Sequence, residues 1–228
     1  MREIQYCSDM RPLACRMPEL GTLEALVDHL LFRVMMDGRQ RDKKEYSIER
    51  NFVTLVDKTV RAYEAARVGL IAEVEQWRSL QEAVSKVPAE EFKVEQSSGP
   101  AMAFTDHFED CITTANRLLK LLRGIKASKT SIVSREARRS IEASAKAIDG
   151  IRNMIEHIAE AIANEEFSEG QTIMVGATVD GRAAILGPNR IAFADVCIVI
   201  RRFHEIAKAM LEVPMEFANP PAVPSNRP

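Results

Sequence analysis

A run of mostly apolar side chains, repeating at alternating steps of four and three residues, constrains this chain more than any other feature. It begins at Phe52 and continues to Leu80. Because an α-helix has 3.6 residues per turn, this spacing places the run on one side of a single helix, predicted at about residues 47–86. Such a helix is a rod of about 60 Å, too long to be covered by one short neighbour. The pattern therefore predicts a mainly α protein, an antiparallel helical bundle with a long second helix.

The same spacing predicts four further helices. They lie at about residues 19–36, 101–126 and 134–164, and a last helix begins near Asp195. The expected buried side of the first helix consists of Leu23, Leu26, Val27, Leu30, Leu31 and Val34. That of the fourth predicted helix consists of Ile141, Ser144, Ile148, Ile151, Ile155, Ile158 and Ile162.

A change of period near residue 170 predicts a small amount of β-structure. Alternate residues are apolar in the segment before Asp180-Gly181, a pair that favours a two-residue hairpin turn. Residues 182–186 then run back, and residues 191–193 could add a third short strand. The prediction is a small C-terminal β-hairpin at about residues 171–193, which is too small to fold alone.

The domain organisation follows from these elements. Residues 19–211 are predicted to form a single helical-bundle domain that carries the hairpin. Residues 1–18 show no usable period and are expected to form an irregular N-terminal arm. Residues 212–228 contain five of the ten prolines and are expected to form a Pro-rich tail.

The amino-acid composition bears on the cellular compartment of the protein and on its classes of binding partner. The net charge of −2 and the pI of about 6.2 give no general attraction to nucleic acid or to an anionic membrane. No segment has the roughly 18 apolar residues of a membrane helix, and no signal peptide is recognisable at the N-terminus. The four cysteines are isolated, which favours free thiols in a reducing compartment. We therefore expect a cytoplasmic protein without a membrane partner.

Metal and cofactor motifs are not found in the sequence. Di-iron sites of helical bundles use a Glu three residues before a His, and none of the four histidines has one. The sequence also contains no HExxH, no Walker loop and no GxGxxG. We expect neither a metal nor a cofactor.

A basic segment joins the third and fourth predicted helices. It could track RNA phosphates, or it could neutralise a helix C-terminus within a solvated loop. It lacks the interleaved aromatic residues that stack on bases. The candidate RNA-binding residues in this segment are Lys126, Lys129, Arg135, Arg138 and Arg139.

The fourth predicted helix also carries the most informative polar group. At about 100° per residue, Arg152, Asn153, Glu156 and His157 fall within roughly 140° of arc, and Glu160 lies among them. We call these five residues the polar strip. The apolar side of the helix lies opposite. The strip brings a guanidinium, an amide, carboxylates and an imidazole together, and it could equally be the solvated face of an amphipathic helix.

The order Arg152-Asn153-x3-His157 resembles the signature of the HEPN superfamily, Arg-x(4–6)-His with a polar second residue. The resemblance implies a bundle of four or more mostly antiparallel helices with the motif on a late helix. Catalytic members of that superfamily are metal-independent ribonucleases. Their motifs meet across a dimer interface, so the resemblance implies a homodimer with one composite site.

The resemblance also implies roles for the catalytic candidates. His157 would exchange a proton with the ribose 2′-hydroxyl or the leaving oxygen, and Arg152 would hold the scissile phosphate. Asn153 would position the imidazole or contact the phosphate. Glu156 could orient the imidazole, or it could neutralise Arg152 and repel RNA. Ala159 stands where one toxin branch of the superfamily has a modifiable Tyr.

Two hypotheses for function result. The first is a metal-independent RNA endonuclease that acts as a homodimer in a toxin or defence role. The second is a non-catalytic interaction protein whose long helix and hairpin recruit a protein partner.

Overall fold

The structure, a computed structural model, describes residues 12–36, 43–86, 99–125, 135–164 and 173–212 of the 228-residue chain. These residues form five helices and one small antiparallel sheet. The helices are α1 (Val27–Met36), α2 (Lys43–Val84), α3 (Gly99–Ile125), α4 (Arg135–Ala163) and α5 (Phe193–Leu211). The strands are β1 (Gly176–Ala177), β2 (Ala183–Leu186) and β3 (Asn189–Ala192). The predicted class, mainly α with a long second helix and a C-terminal hairpin, is confirmed.

Helices α2 and α3 form the principal helix pair. The predicted seam of α2 is buried from Phe52 to Val74, and beyond it the last turns of the helix are more exposed. The two backbones come very close at Gly69, where a Cβ atom would lie 2.8 Å from the backbone nitrogen of Phe104. Within the described residues, no helix combines the length and apolarity needed to cross a membrane.

Helix α5 packs on this pair through aromatic rings. Phe193, at its start, meets Phe104 and Phe108 of α3 edge-on, with ring centroids 6.1 and 5.5 Å apart. Phe203, further along α5, makes an edge contact of 6.0 Å with Phe52 of α2. These rings are all fully buried, so α2, α3 and α5 share one core.

The sheet has the strand order β1-β2-β3 with antiparallel pairing throughout. The predicted hairpin is present, but its connection is longer than the two-residue turn expected at Asp180-Gly181, since residues 178–182 lie between β1 and β2. Gly181 has a φ of +66°, and its N–H donates to the carbonyl of Thr178 at 2.7 Å. The strand before the turn is shorter than expected, since β1 has two residues. Residues 171–172, part of that predicted strand, lie outside the described residues. The third strand runs directly into α5.

The first helix is shorter than predicted, because residues 19–26 are not helical. Side chains of α2 bind the backbone of this segment instead. The Tyr63 hydroxyl donates to the carbonyl of Pro18 at 2.9 Å, and Glu64 accepts the N–H of Leu20 at 2.9 Å. Gly21 has a φ of +74°, a conformation that interrupts a right-handed helix. The segment therefore lies against α2 as irregular chain.

The orientation of α1 also differs from the prediction. Its buried residues are Leu30 and Arg33, whereas Leu31 and Val34 are exposed. Arg33 turns inward because its guanidinium donates to the carbonyl of Leu211 at the end of α5 and lies 3.5 Å from a Glu49 oxygen of α2. Helical periodicity predicts that a charged residue faces solvent, but the cross-helix contacts of Arg33 place it inside.

Candidate functional site

Contacts on the opposite side of α4 determine where the polar strip lies. Ile148 and Ile151 are fully buried and anchor the middle of the helix. Gly150 allows a close approach to the β2-β3 turn, since a Cβ atom there would lie 2.8 Å from the side-chain oxygen of Asn189. The side of α4 that carries Arg152 and His157 is thereby left facing outward.

A polar cross-link to α3 lies one helical turn before the strip. The Asp149 carboxylate accepts a hydrogen bond from Asn116 and lies 3.6 Å from the guanidinium of Arg123. Asp149, Asn116 and Arg123 were not predicted from the sequence as site residues. A signal was present, because Asn116 interrupts an otherwise apolar side of α3 and is 3% exposed.

The structure brings three strip residues into direct contact. The Arg152 guanidinium pairs with the carboxylate of Glu156 one turn later, and it also donates to the side-chain oxygen of Asn153 at 3.2 Å. The Arg152 side chain is 25% exposed and that of Glu156 is 44% exposed. Arg152 is thus an accessible cation whose charge is balanced by a neighbouring acid.

His157 has a different partner. Its Nδ1 lies 3.4 Å from a carboxylate oxygen of Glu160, and both side chains are about two-thirds exposed. Among the described residues, no hydrogen bond or ion pair joins the imidazole to Arg152 or Asn153. One chain therefore presents the guanidinium and the imidazole on the same side of α4 as two separately paired groups.

The strength of these pairs decides what the strip can do. Exposed ion pairs contribute about 0–1 kcal/mol, because water and side-chain entropy offset the Coulomb attraction. A phosphate that can accept two hydrogen bonds from a guanidinium can therefore displace Glu156 from Arg152. The same acids lower the local positive charge, which weakens any attraction for RNA.

Of the predicted RNA-binding residues, Arg139 is described and exposed. Arg135 and Arg138 lie in the first turns of α4, while Lys126 and Lys129 fall outside the described residues. Arg139 and His157 are separated by five helical turns, so they lie on one line along α4, roughly 27 Å apart. A chain of phosphates along this line could contact both.

The histidines of the described chain are dispersed over four helices. His29 lies on α1, His107 on α3, His157 on α4 and His204 on α5. Across the described ranges, no three His, Cys, Asp or Glu side chains form a group able to hold a metal ion.

Comparison with known proteins finds no match to a protein-family model, a curated protein or a solved structure. The geometry of α4 is therefore the basis for an assignment of function.

Proposed function

We propose that this protein is a HEPN-like, metal-independent endoribonuclease whose active site is completed in a homodimer. One observation carries the proposal: α4 displays Arg152, Asn153, Glu156 and His157 together on an outward-facing side, with Arg152 already in contact with Asn153 and Glu156. A role as a toxin or in defence follows from the family resemblance alone.

The chemistry requires a base, an acid and a cation. In the proposed reaction, the imidazole of His157 takes the proton of a ribose 2′-hydroxyl, and the 2′-oxygen then attacks the adjacent phosphorus. The bond to the 5′-oxygen breaks as that oxygen receives a proton, which leaves a 2′,3′-cyclic phosphate and a 5′-hydroxyl. Proton transfer of this kind contributes about 10²–10⁴-fold to the rate.

A dimer supplies the second imidazole that a single chain lacks. A single chain offers one imidazole on the strip, whereas the reaction needs a base and an acid at once. In a dimer that sets two strips face to face, one His157 acts as the base and the second as the acid. Arg152 stabilises the negative charge that develops on the phosphate once Glu156 has been displaced.

Cleavage of RNA by the purified full chain in excess EDTA tests the proposal. We expect His157→Ala and Arg152→Ala to remove activity while light scattering shows an unchanged dimer. Two matched controls lie on α3, His107→Ala and Arg117→Ala, because both positions are exposed and outside the strip. Intact RNA with the wild-type protein, or equal cleavage by all variants, rejects the assignment.

A second candidate is a non-catalytic interaction protein. It is favoured by residues 75–84, where α2 continues past its last buried residue, Val74, and carries the 48% exposed Val84. In this hypothesis the strip is a solvated helix face with internally balanced charges. Capture of a stable partner that is lost with Val84→Glu and kept with Arg152→Ala supports it. The absence of any stable partner contradicts it.

A further inference from the structure

Helix α1 exposes an unusually apolar surface, which we call the α1 face. Its exposed side chains are Leu31, Phe32, Val34, Met35 and Met36, with exposed fractions from 41% to 83%. The helix is fixed by its other side, through buried Leu30 and Arg33. A cluster of large apolar side chains on a surface is a candidate contact site for another segment or molecule.

The α1 face continues into a groove between α1 and the end of α5. The groove has a volume of about 610 Å³. Its lining includes His29, Phe32 and Arg33 from α1 and Lys208, Leu211 and Glu212 from the end of α5. Arg33 links the two sides of the groove, because its guanidinium donates a hydrogen bond to the carbonyl of Leu211 at the end of α5.

The described part of the chain ends at this groove. Glu212 is the last described residue, and the next residues are Val213-Pro-Met-Glu-Phe217. Val213, Met215 and Phe217 occupy alternate positions, so in an extended conformation they lie on one side. Five extended residues span about 17 Å, which matches the roughly 15 Å length of the ten-residue α1.

The size of the α1 face favours this short segment over a second copy of the protein. Full burial of one such side chain removes on the order of 100 Å² from water, so the five exposed side chains offer roughly 300 Å². A stable dimer buries about 800 Å² on each partner. The α1 face is thus too small to hold a dimer by itself, and it is large enough for three apolar side chains.

We propose that the α1 face and its groove are the docking surface for the chain's own C-terminal segment, residues 213–217. Phe217 and Met215 cover Phe32 and its neighbours, while Glu216 lies on the solvent side. This contact ties the end of α5 to α1 and is independent of the function assigned to the polar strip.

Photo-crosslinking of the full chain tests the contact directly. A benzoylphenylalanine in place of Phe217 is expected to crosslink to residues 31–36 within a single chain, as shown by the mass of the product. The same probe in place of Val223 is the matched control and should give no crosslink to α1. Crosslinks between two chains, or none to α1, overturn the proposal.

Hydrogen exchange provides a second measurement that needs no probe. We expect Phe217→Glu in the full chain to speed amide exchange in α1 by about tenfold, because a covered helix opens less often. Val223→Glu should leave that exchange unchanged. Equal exchange in the wild type and both variants overturns the proposal.

Discussion

Both carboxylate oxygens of Asp57 accept the backbone N–H of Leu26, at 3.1 and 3.0 Å. The N–H of Val27 donates to the same carboxylate at 2.9 Å. A buried side chain from the first half of α2 therefore satisfies free donors at the start of α1, a task usually done by a neighbouring Ser or Asp. The negative charge also faces the positive end of the α1 dipole.

Asp57→Ala should therefore destabilise the protein by about 1–3 kcal/mol, since it leaves buried N–H groups without acceptors. The loss should be concentrated in α1, where amide exchange will accelerate. Urea unfolding measures the total cost. Asp106→Ala, on the exposed side of α3, is the control and should change stability by less than about 0.5 kcal/mol. Equal effects of the two changes would contradict the capping role.

Two features require glycine at position 181, a positive φ and a close backbone contact, whereas position 21 has the positive φ alone. Both have positive φ, +66° and +74°. A Cβ atom at Gly181 would overlap the carbonyl oxygen of Ala14, whereas none of the surrounding atoms lies within 4 Å of a Cβ atom at Gly21. We expect Gly21→Ala to cost about 1 kcal/mol from backbone strain and Gly181→Ala to cost clearly more. Thermal unfolding of the two variants measures the difference, and a smaller cost at position 181 would be inconsistent with the contact.

The seam of α2 from Phe52 to Val74 and that of α4 from Ile141 to Ile151 could be predicted from the sequence because they depend on local period. The last residue predicted for the α4 seam, Ile162, is instead 50% exposed, and Ala161 is buried. The start and orientation of α1 could not be predicted, because Asp57 and Arg33 act across long sequence separations. The candidate site, too, could be predicted from the sequence only in part. Helical arithmetic placed Arg152 and His157 on one side, but the choice of Glu156 and Glu160 as their partners depends on side-chain conformation.

Glu109 should make stability depend on pH. Partial burial, followed by the charges of Asp106 and Asp110, raises the pKa of Glu109 above its ordinary value of 4.5. The folded state thus binds this proton more tightly than the unfolded state, so its contribution to stability falls as pH rises from 4.5 through the raised pKa. Glu109→Gln should stabilise the protein at pH 7 by about 0.5 kcal/mol and have no effect below pH 4. Urea unfolding at both pH values measures this, with the exposed Glu142→Gln as control.

Glu156 offers the sharpest test of the polar strip. Glu156→Gln removes the carboxylate that pairs with Arg152 and keeps the size of the side chain. Because the pair is partly exposed, stability should change by less than about 1 kcal/mol. If Arg152 binds a phosphate, losing one nearby negative charge should tighten RNA binding by about fivefold at low salt.

Fluorescence anisotropy with a labelled RNA measures this affinity, and Glu142→Gln on the same helix is the matched control because it removes the same charge roughly 21 Å from position 156. An equal gain in both variants would indicate only a general effect of net charge. A gain with Glu156→Gln that disappears when Arg152→Ala is added places the phosphate at Arg152 itself. No gain with Glu156→Gln would mean that RNA does not contact the strip, and the ribonuclease assignment would then lose its cation.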